Sequence, residues 1–105
     1  MTTNFPSKEW TFLDPQNVAV FTTGKVVSEN HPILYVCHDD DGAWQFHTGM
    51  DVNEGDAKIV ALREIVRRDL SILDLADLPI GWIATRKSQN DDWQRFKDLR
   101  ITTDP

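Results

Sequence analysis

A predicted β-hairpin spanning residues 31–49 constrains the fold of this chain more than any other part of the sequence. Two apolar alternating runs flank the acidic turn Asp39–Gly42 within this short segment. Alternation on both sides of a turn rich in Asp and Gly is typical of a hairpin. The segment therefore predicts two antiparallel strands joined by a tight acidic turn.

The register of this hairpin decides which side chains face the core. A turn centred on Asp40 and Asp41 pairs Cys37 with Trp44 and His38 with Ala43. Because side chains alternate along a strand, this register gives one apolar and aromatic face and one mixed face. The predicted core face carries Ile33, Tyr35, Cys37, Trp44 and Phe46. The predicted mixed face carries Leu34, Val36, His38, Gln45 and His47.

Further strands are predicted on both sides of the hairpin. Residues 17–23 are rich in β-formers and follow Pro15, and residues 82–87 alternate in a way that suggests a strand returning to the sheet. Residues 25–32 fit either a short strand or a helical turn. Together with the hairpin, these segments indicate a small antiparallel sheet.

Two helices are predicted between the hairpin and the returning strand. Residues 53–69 form the principal helix, with Asn53 as a candidate N-cap and apolar residues at helical spacing. Residues 71–77 offer a shorter helix, which Pro79 prevents from continuing. The fold class expected from sequence is therefore α+β, with one long and one short helix packed on one face of the sheet.

The length of 105 residues indicates one domain. We expect an N-terminal arm at 1–16, the single α+β domain at 17–87 and a polar C-terminal tail at 88–105. Three apolar residues of the tail recur at three-residue steps and fit a short helix: Trp93, Phe96 and Leu99.

The net charge of the chain restricts the classes of partner that it is expected to bind. Seventeen acidic residues against eleven basic ones give a formal net charge of −6, which repels nucleic acid phosphates and anionic lipid. Neither nucleic acid nor membrane binding is expected. One cysteine, Cys37, forms no internal disulfide, and the first residues lack the pattern of a signal peptide. These features predict a cytoplasmic protein.

The hairpin gathers residue types that bind metals, but not in a spacing that brings them together. On the predicted strands His38 and His47 lie about four residues apart, which is about 13 Å at about 3.3 Å per residue, and Cys37 points to the other face. The contiguous Asp39–Asp41 run also lacks the alternating ligands of a calcium loop. The sequence predicts no metal site and no cofactor.

A catalytic site is not predicted either. Cys37 beside Trp44 on an apolar face is typical of an inert core thiol. His38 and Asp39 are neighbours whose side chains point in different directions, and no nucleophile motif accompanies them. We therefore expect a protein that is not an enzyme.

A recognition surface is the remaining interpretation of the hairpin. Asp39, Asp40 and Asp41 at its tip, with three polar side chains behind them, fit contact with a basic partner; these three are His38, Gln45 and His47. Two alternatives remain open at this point. The tip is an ordinary solvated turn, or the concavity beside those three side chains binds a small ligand or cation.

The segment Trp44–Gly49 resembles the W-basic-F-x-x-G core of a bacterial family of small proteins. This family is a domain of unknown function grouped with immunity proteins of polymorphic toxin systems. Its members have an acidic or polar turn before the Trp, a helical segment after it and a closing G-x-x-A-x-R-like strand. The matching positions here are Asp40–Gly42, residues 59–69, and Gly81, Ala84 and Arg86. The resemblance covers about residues 17–87.

The resemblance implies a non-enzymatic protein that binds a toxin domain and blocks it sterically. Acidic residues would steer the association with such a basic partner. We expect the motif positions to be mainly structural, as aromatic core, backbone turns and a paired arginine; they are Gly42, Trp44, Phe46, Gly49, Gly81, Trp82 and Arg86. The sequence leaves the oligomeric state open.

Overall fold

The computed structural model describes residues 9–49 and 54–99 and contains a six-stranded mixed sheet. The strands are β1 (Ala19–Thr23), β2 (Tyr35–His38), β3 (Trp44–His47), β4 (Ala57–Ala61), β5 (Trp82–Thr85) and β6 (Gln94–Lys97). Their order in the sheet is β4-β1-β3-β2-β5-β6. β1 and β3 run parallel, while the other neighbouring pairs are antiparallel.

The helices are short. They are α1 (Gly24–Val27), α2 (Leu62–Arg68) and two 3-10 helices at Glu54–Asp56 and Leu70–Leu75. The last of these is capped by Asp69, whose side chain accepts a hydrogen bond of 3.0 Å from the Ser71 N–H. The longest of these helices, α2, has seven residues.

The predicted fold class, a small antiparallel sheet with one long and one short helix, is therefore wrong. Residues 57–61, which were expected within the long helix, form strand β4 and pair with β1 from Ala19↔Ala61 to Thr23↔Ala57. A five-residue apolar segment such as this one has no period of its own that separates helix from strand. Its pairing with a distant strand decides the conformation. The predicted N-cap, Asn53, lies outside the described residues.

The segment after β5 also differs from the prediction. Residues 94–97 form strand β6, which pairs with β5, where the three-residue steps fitted a short helix. The N-terminal segment contributes to the core through Phe12, which is 5% exposed and contacts the Trp44 ring edge-on at 5.2 Å. Leu13, next to it, is fully exposed.

One face of the sheet packs against the helices. Val20, Val36 and Phe46 from the strands share a buried cluster with Leu62, Ile65, Ile72 and Leu75 from the helical segments. A second, separate cluster lies on the other face and contains only strand residues, namely Tyr35, Cys37 and Ile83. In the described part of the chain the helices thus cover one face, and we call the other the helix-free face.

Candidate functional site

The acidic turn joins β2 and β3 with one more residue than the sequence predicted. The Asp39 N–H donates to the Ala43 carbonyl at 2.8 Å, and the Gly42 N–H donates to the Asp39 carbonyl at 2.9 Å. Gly42 has φ +91°, a left-handed conformation that glycine adopts without strain. The loop is therefore Asp40-Asp41-Gly42, a three-residue hairpin loop ending in a glycine bulge.

This extra residue changes the predicted faces. The observed pairs are Tyr35↔His47, Val36↔Phe46, Cys37↔Gln45 and His38↔Trp44. A shift of one residue moves one strand's side chains to the opposite face. As a result β2 is turned over relative to the prediction: Val36 and His38 lie on the core face, while Tyr35 and Cys37 lie on the helix-free face.

His38 is consequently separated from the other predicted polar residues. Its ring stacks on Trp44 with centroids 3.8 Å apart and an interplanar angle of 11°. Its Nδ1 donates a hydrogen bond of 2.7 Å to the Leu78 carbonyl, because that oxygen can only accept. The concavity predicted beside His38, Gln45 and His47 is therefore not formed, since His38 lies on the opposite side of the sheet from the other two.

On the helix-free face, a chain of hydrogen bonds joins three of the predicted residues, Asp39, Gln45 and His47. The Gln45 amide donates to Asp39 Oδ2 at 2.7 Å, and the Cys37 thiol donates to Asp39 Oδ1 at 3.0 Å. The Gln45 amide oxygen lies 2.9 Å from His47 Nε2, which must carry the proton. Two side-chain bonds thus hold the Asp39 carboxylate at the start of the acidic turn.

His47 ends this chain in a buried position. It is 4% exposed, and its Nδ1 has no hydrogen-bond partner among the described residues. Burial lowers the pKa of His47 from its ordinary value, while the negative charge of Asp39 opposes this shift. At neutral pH the ring is therefore an uncharged donor that orients Gln45.

The three carboxylates of the turn have different roles. Asp39 accepts the two side-chain bonds, and Asp41 Oδ1 accepts a bond of 3.0 Å from the Ala43 N–H, which fixes the turn. Asp40 is exposed at the tip. The turn therefore presents negative charge on a backbone that its own side chains stabilise.

A row of side chains that is apolar except for Gln45 crosses the helix-free face beside the turn. Cross-strand pairing aligns Ile59, Phe21, Gln45, Cys37, Ile83 and Phe96 from β4 to β6. The two ends of the row are open to solvent, because Ile59 is 65%, Phe21 41% and Phe96 43% exposed. Sequence reasoning missed these three residues, since the row exists only once distant strands are paired.

The motif residues lie mostly in structural positions. Trp44 and Phe46 are buried in the core, Trp82 packs against it, and Gly81 has φ +87° at the turn into β5. Gly49 has open space around its Cα. Arg86 is 7% exposed, pairs with Asp69 and lies 4.0 Å from the centroid of the Trp93 ring. Apart from Gly49, these residues therefore support the sheet.

Two further features are absent from the described residues. No group of three or more His, Cys, Asp or Glu side chains within 9–49 and 54–99 is arranged to hold a metal ion. In the same ranges, no helix is long and apolar enough to cross a membrane. No protein-family model, curated protein or solved structure matches this chain.

Proposed function

We propose that this chain is a non-enzymatic interaction protein of the immunity type, which binds a basic partner protein in the cytoplasm and blocks it. The observation that carries the proposal is the acidic turn at the end of the helix-free sheet face, in which side chains hold the Asp39 carboxylate and the turn backbone holds that of Asp41. The resemblance of Trp44–Gly49 to the immunity-related family supplies the class of partner, a toxin domain.

The fixed geometry of the turn supports a role in recognition. Gln45 and Cys37 bind Asp39, and Asp41 binds the backbone of its own turn. A carboxylate that is already oriented loses less side-chain entropy when a partner's Lys or Arg approaches. The exposed Asp40 adds negative charge at the edge of the proposed contact surface, where charges mainly raise the association rate.

The surface beside the turn supplies apolar area. Phe96 is 43% exposed on the same face as Asp39. An apolar contact next to a charged rim is the usual composition of a protein interface. The partner we propose is therefore a protein with a cationic patch bordered by apolar side chains.

The test begins with affinity capture from the lysate of the producing cells at low and then moderate salt. The expected result is a stoichiometric basic protein that is released as salt rises, because exposed charges are screened. Co-expression of the captured protein with this chain should then protect cells from its toxicity. Capture without protection would contradict the immunity role.

Charge-reversal variants locate the surface. Asp40→Lys should lower the association rate by about tenfold, since it replaces an attractive rim charge with a repulsive one. Asp92→Lys is the matched control, because Asp92 is exposed beyond the start of β6, at the opposite end of the strands. Equal association rates for the two variants would refute the acidic turn as the recognition site.

A further inference from the structure

Among the residues that the structure describes, β4 is an edge strand, and its outward backbone groups follow a regular pattern. The Leu62 N–H donates to the Val18 carbonyl at 2.9 Å, which continues the β1–β4 ladder by one pair. Hydrogen-bonded and non-bonded pairs alternate in an antiparallel ladder. Val60 and Lys58 therefore bond to β1, while the backbone groups of Ala57, Ile59 and Ala61 point away from the sheet.

The side chains of β4 are self-complementary about its central residue. A two-fold axis at Ile59 would place Ile59 opposite its own copy and Ala57 opposite Ala61. On the other face it would place Lys58 opposite Val60, so that no like charges meet. Ile59 is 65% exposed, and its neighbour Phe21 is 41% exposed on the same face. Pairing of two β4 strands would join the row that contains Ile59 and Phe21 in one copy to the same row in the other copy.

The other edge strand, β6, does not have this property. The Asp98 N–H donates to the Gly81 carbonyl at 2.8 Å, so the outward backbone groups of β6 belong to Arg95 and Lys97. A two-fold axis at Phe96 would place Arg95 opposite Lys97. Like charges directly opposite each other destabilise a strand pair, and cationic edge residues commonly prevent such pairing.

The charge distribution also favours the β4 edge. The chain carries a net charge of −6, and two copies repel each other wherever their acidic groups meet. The acidic turn lies at the end of β2 and β3 in the middle of the sheet, and Asp91 and Asp92 precede β6. The charged residue of β4 itself is the cationic Lys58, so pairing two β4 strands brings no acidic side chain of one strand against an acidic side chain of the other.

We propose that β4 is a dimerisation edge, at which two copies pair their β4 strands antiparallel about Ile59 and join two six-stranded sheets into one. The interface is separate from the proposed partner-binding surface. Both acidic turns remain free in the dimer, because they lie at strand ends and not on the paired edge. Each dimer therefore offers two copies of the recognition surface.

Sedimentation equilibrium of the full chain over a range of concentrations tests this proposal. The wild type should show a monomer–dimer equilibrium, and Ile59→Lys should raise the dimer dissociation constant by at least about tenfold, because it removes apolar contact and opposes two cations. Ile80→Lys is the matched control, since Ile80 is 57% exposed away from β4. A monomeric wild type, or equal effects of both variants, would overturn the proposal.

A charge-swap pair tests the register itself. Ile59→Lys and Ile59→Glu should each be monomeric alone, whereas an equimolar mixture should form a heterodimer, since only the two-fold at residue 59 places these side chains opposite each other. Circular dichroism of each variant verifies that it is folded. A mixture that remains monomeric while the wild type dimerises would refute pairing about Ile59.

Discussion

Replacement of Arg86 is expected to destabilise this protein more than replacement of any exposed arginine. Its guanidinium makes five hydrogen bonds: two to the Ile33 carbonyl and one each to Ser71 Oγ, the Gln89 carbonyl and the Asp69 carboxylate. Its side chain is 1% exposed and that of Asp69 is 14% exposed. All five N–H donors of the group are therefore satisfied in a site from which water is largely excluded.

The size of the effect follows from the groups left behind. Arg86→Met leaves the buried Ile33 carbonyl and the Asp69 carboxylate without their cationic partner, and breaking a buried pair in this way costs about 3–5 kcal/mol. Arg86→Lys keeps the charge but offers three donors in place of a planar set of five. With two hydrogen bonds lost, we expect it to cost about 2 kcal/mol.

Urea denaturation measures these differences in the free energy of unfolding. Arg95→Lys is the control, because Arg95 pairs with an exposed partner, Asp77, and exposed pairs contribute about 1 kcal/mol or less. A double-mutant cycle with Asp69→Asn isolates the coupling of Arg86 to Asp69. If Arg86→Lys costs no more than Arg95→Lys, the guanidinium geometry is not what stabilises this site, and the structural account of the motif arginine fails.

Three further outcomes follow from the hairpin. Gly42→Ala should lower the free energy of unfolding by about 1–2 kcal/mol, because Gly42 has a positive φ. Gly49→Ala is the control and should change it by about 0.5 kcal/mol or less, since Gly49 has open space around it and no positive φ. Equal effects of the two variants in urea denaturation would contradict the assigned loop. Burial lowers the pKa of His47 below 6.5, so the unfolded chain takes up the proton first as the pH falls. The free energy of unfolding should therefore decrease as pH drops below about 6.5. An unchanged dependence of this free energy on pH in His47→Gln would refute the prediction. Cys37, 5% exposed, should react with a thiol reagent at least about a hundredfold more slowly in native than in denatured protein, and rapid native labelling would show that its site opens.

The position of the hairpin was predictable because its signals are local. Alternating apolar residues and a turn ending in Gly identified both strands and the acidic tip, as β2, β3 and their loop show. The register was wrong by one residue, because a turn centred on Asp40 and Asp41 leaves Gly42 in the strand. The positive φ of Gly42 places it in the loop, and the sequence alone allows both arrangements.

Part of the candidate site followed from this local information. Asp39, Gln45 and His47 were predicted to lie near one another, and the structure joins them by hydrogen bonds. His38 was expected beside them and instead stacks on Trp44 on the core face. The pairing of β2 with β3 is offset by one residue from the prediction. This offset places the His38 side chain on the core face, although His38 lies in the strand that was predicted for it.

The sequence by itself determined where the hairpin, the strand after Pro15 and the strand after Gly81 form, since alternation, proline, glycine and acidic turn residues act over a few positions. Only the tertiary structure decided that residues 57–61 form a strand, because β1, about forty residues earlier in the chain, provides its ladder. It also decided which side chains share a face, because Phe21, Ile59 and Phe96 align only through pairing of distant strands. Local preference is set by neighbouring residues, whereas a surface is set by contacts that the chain makes only when it folds.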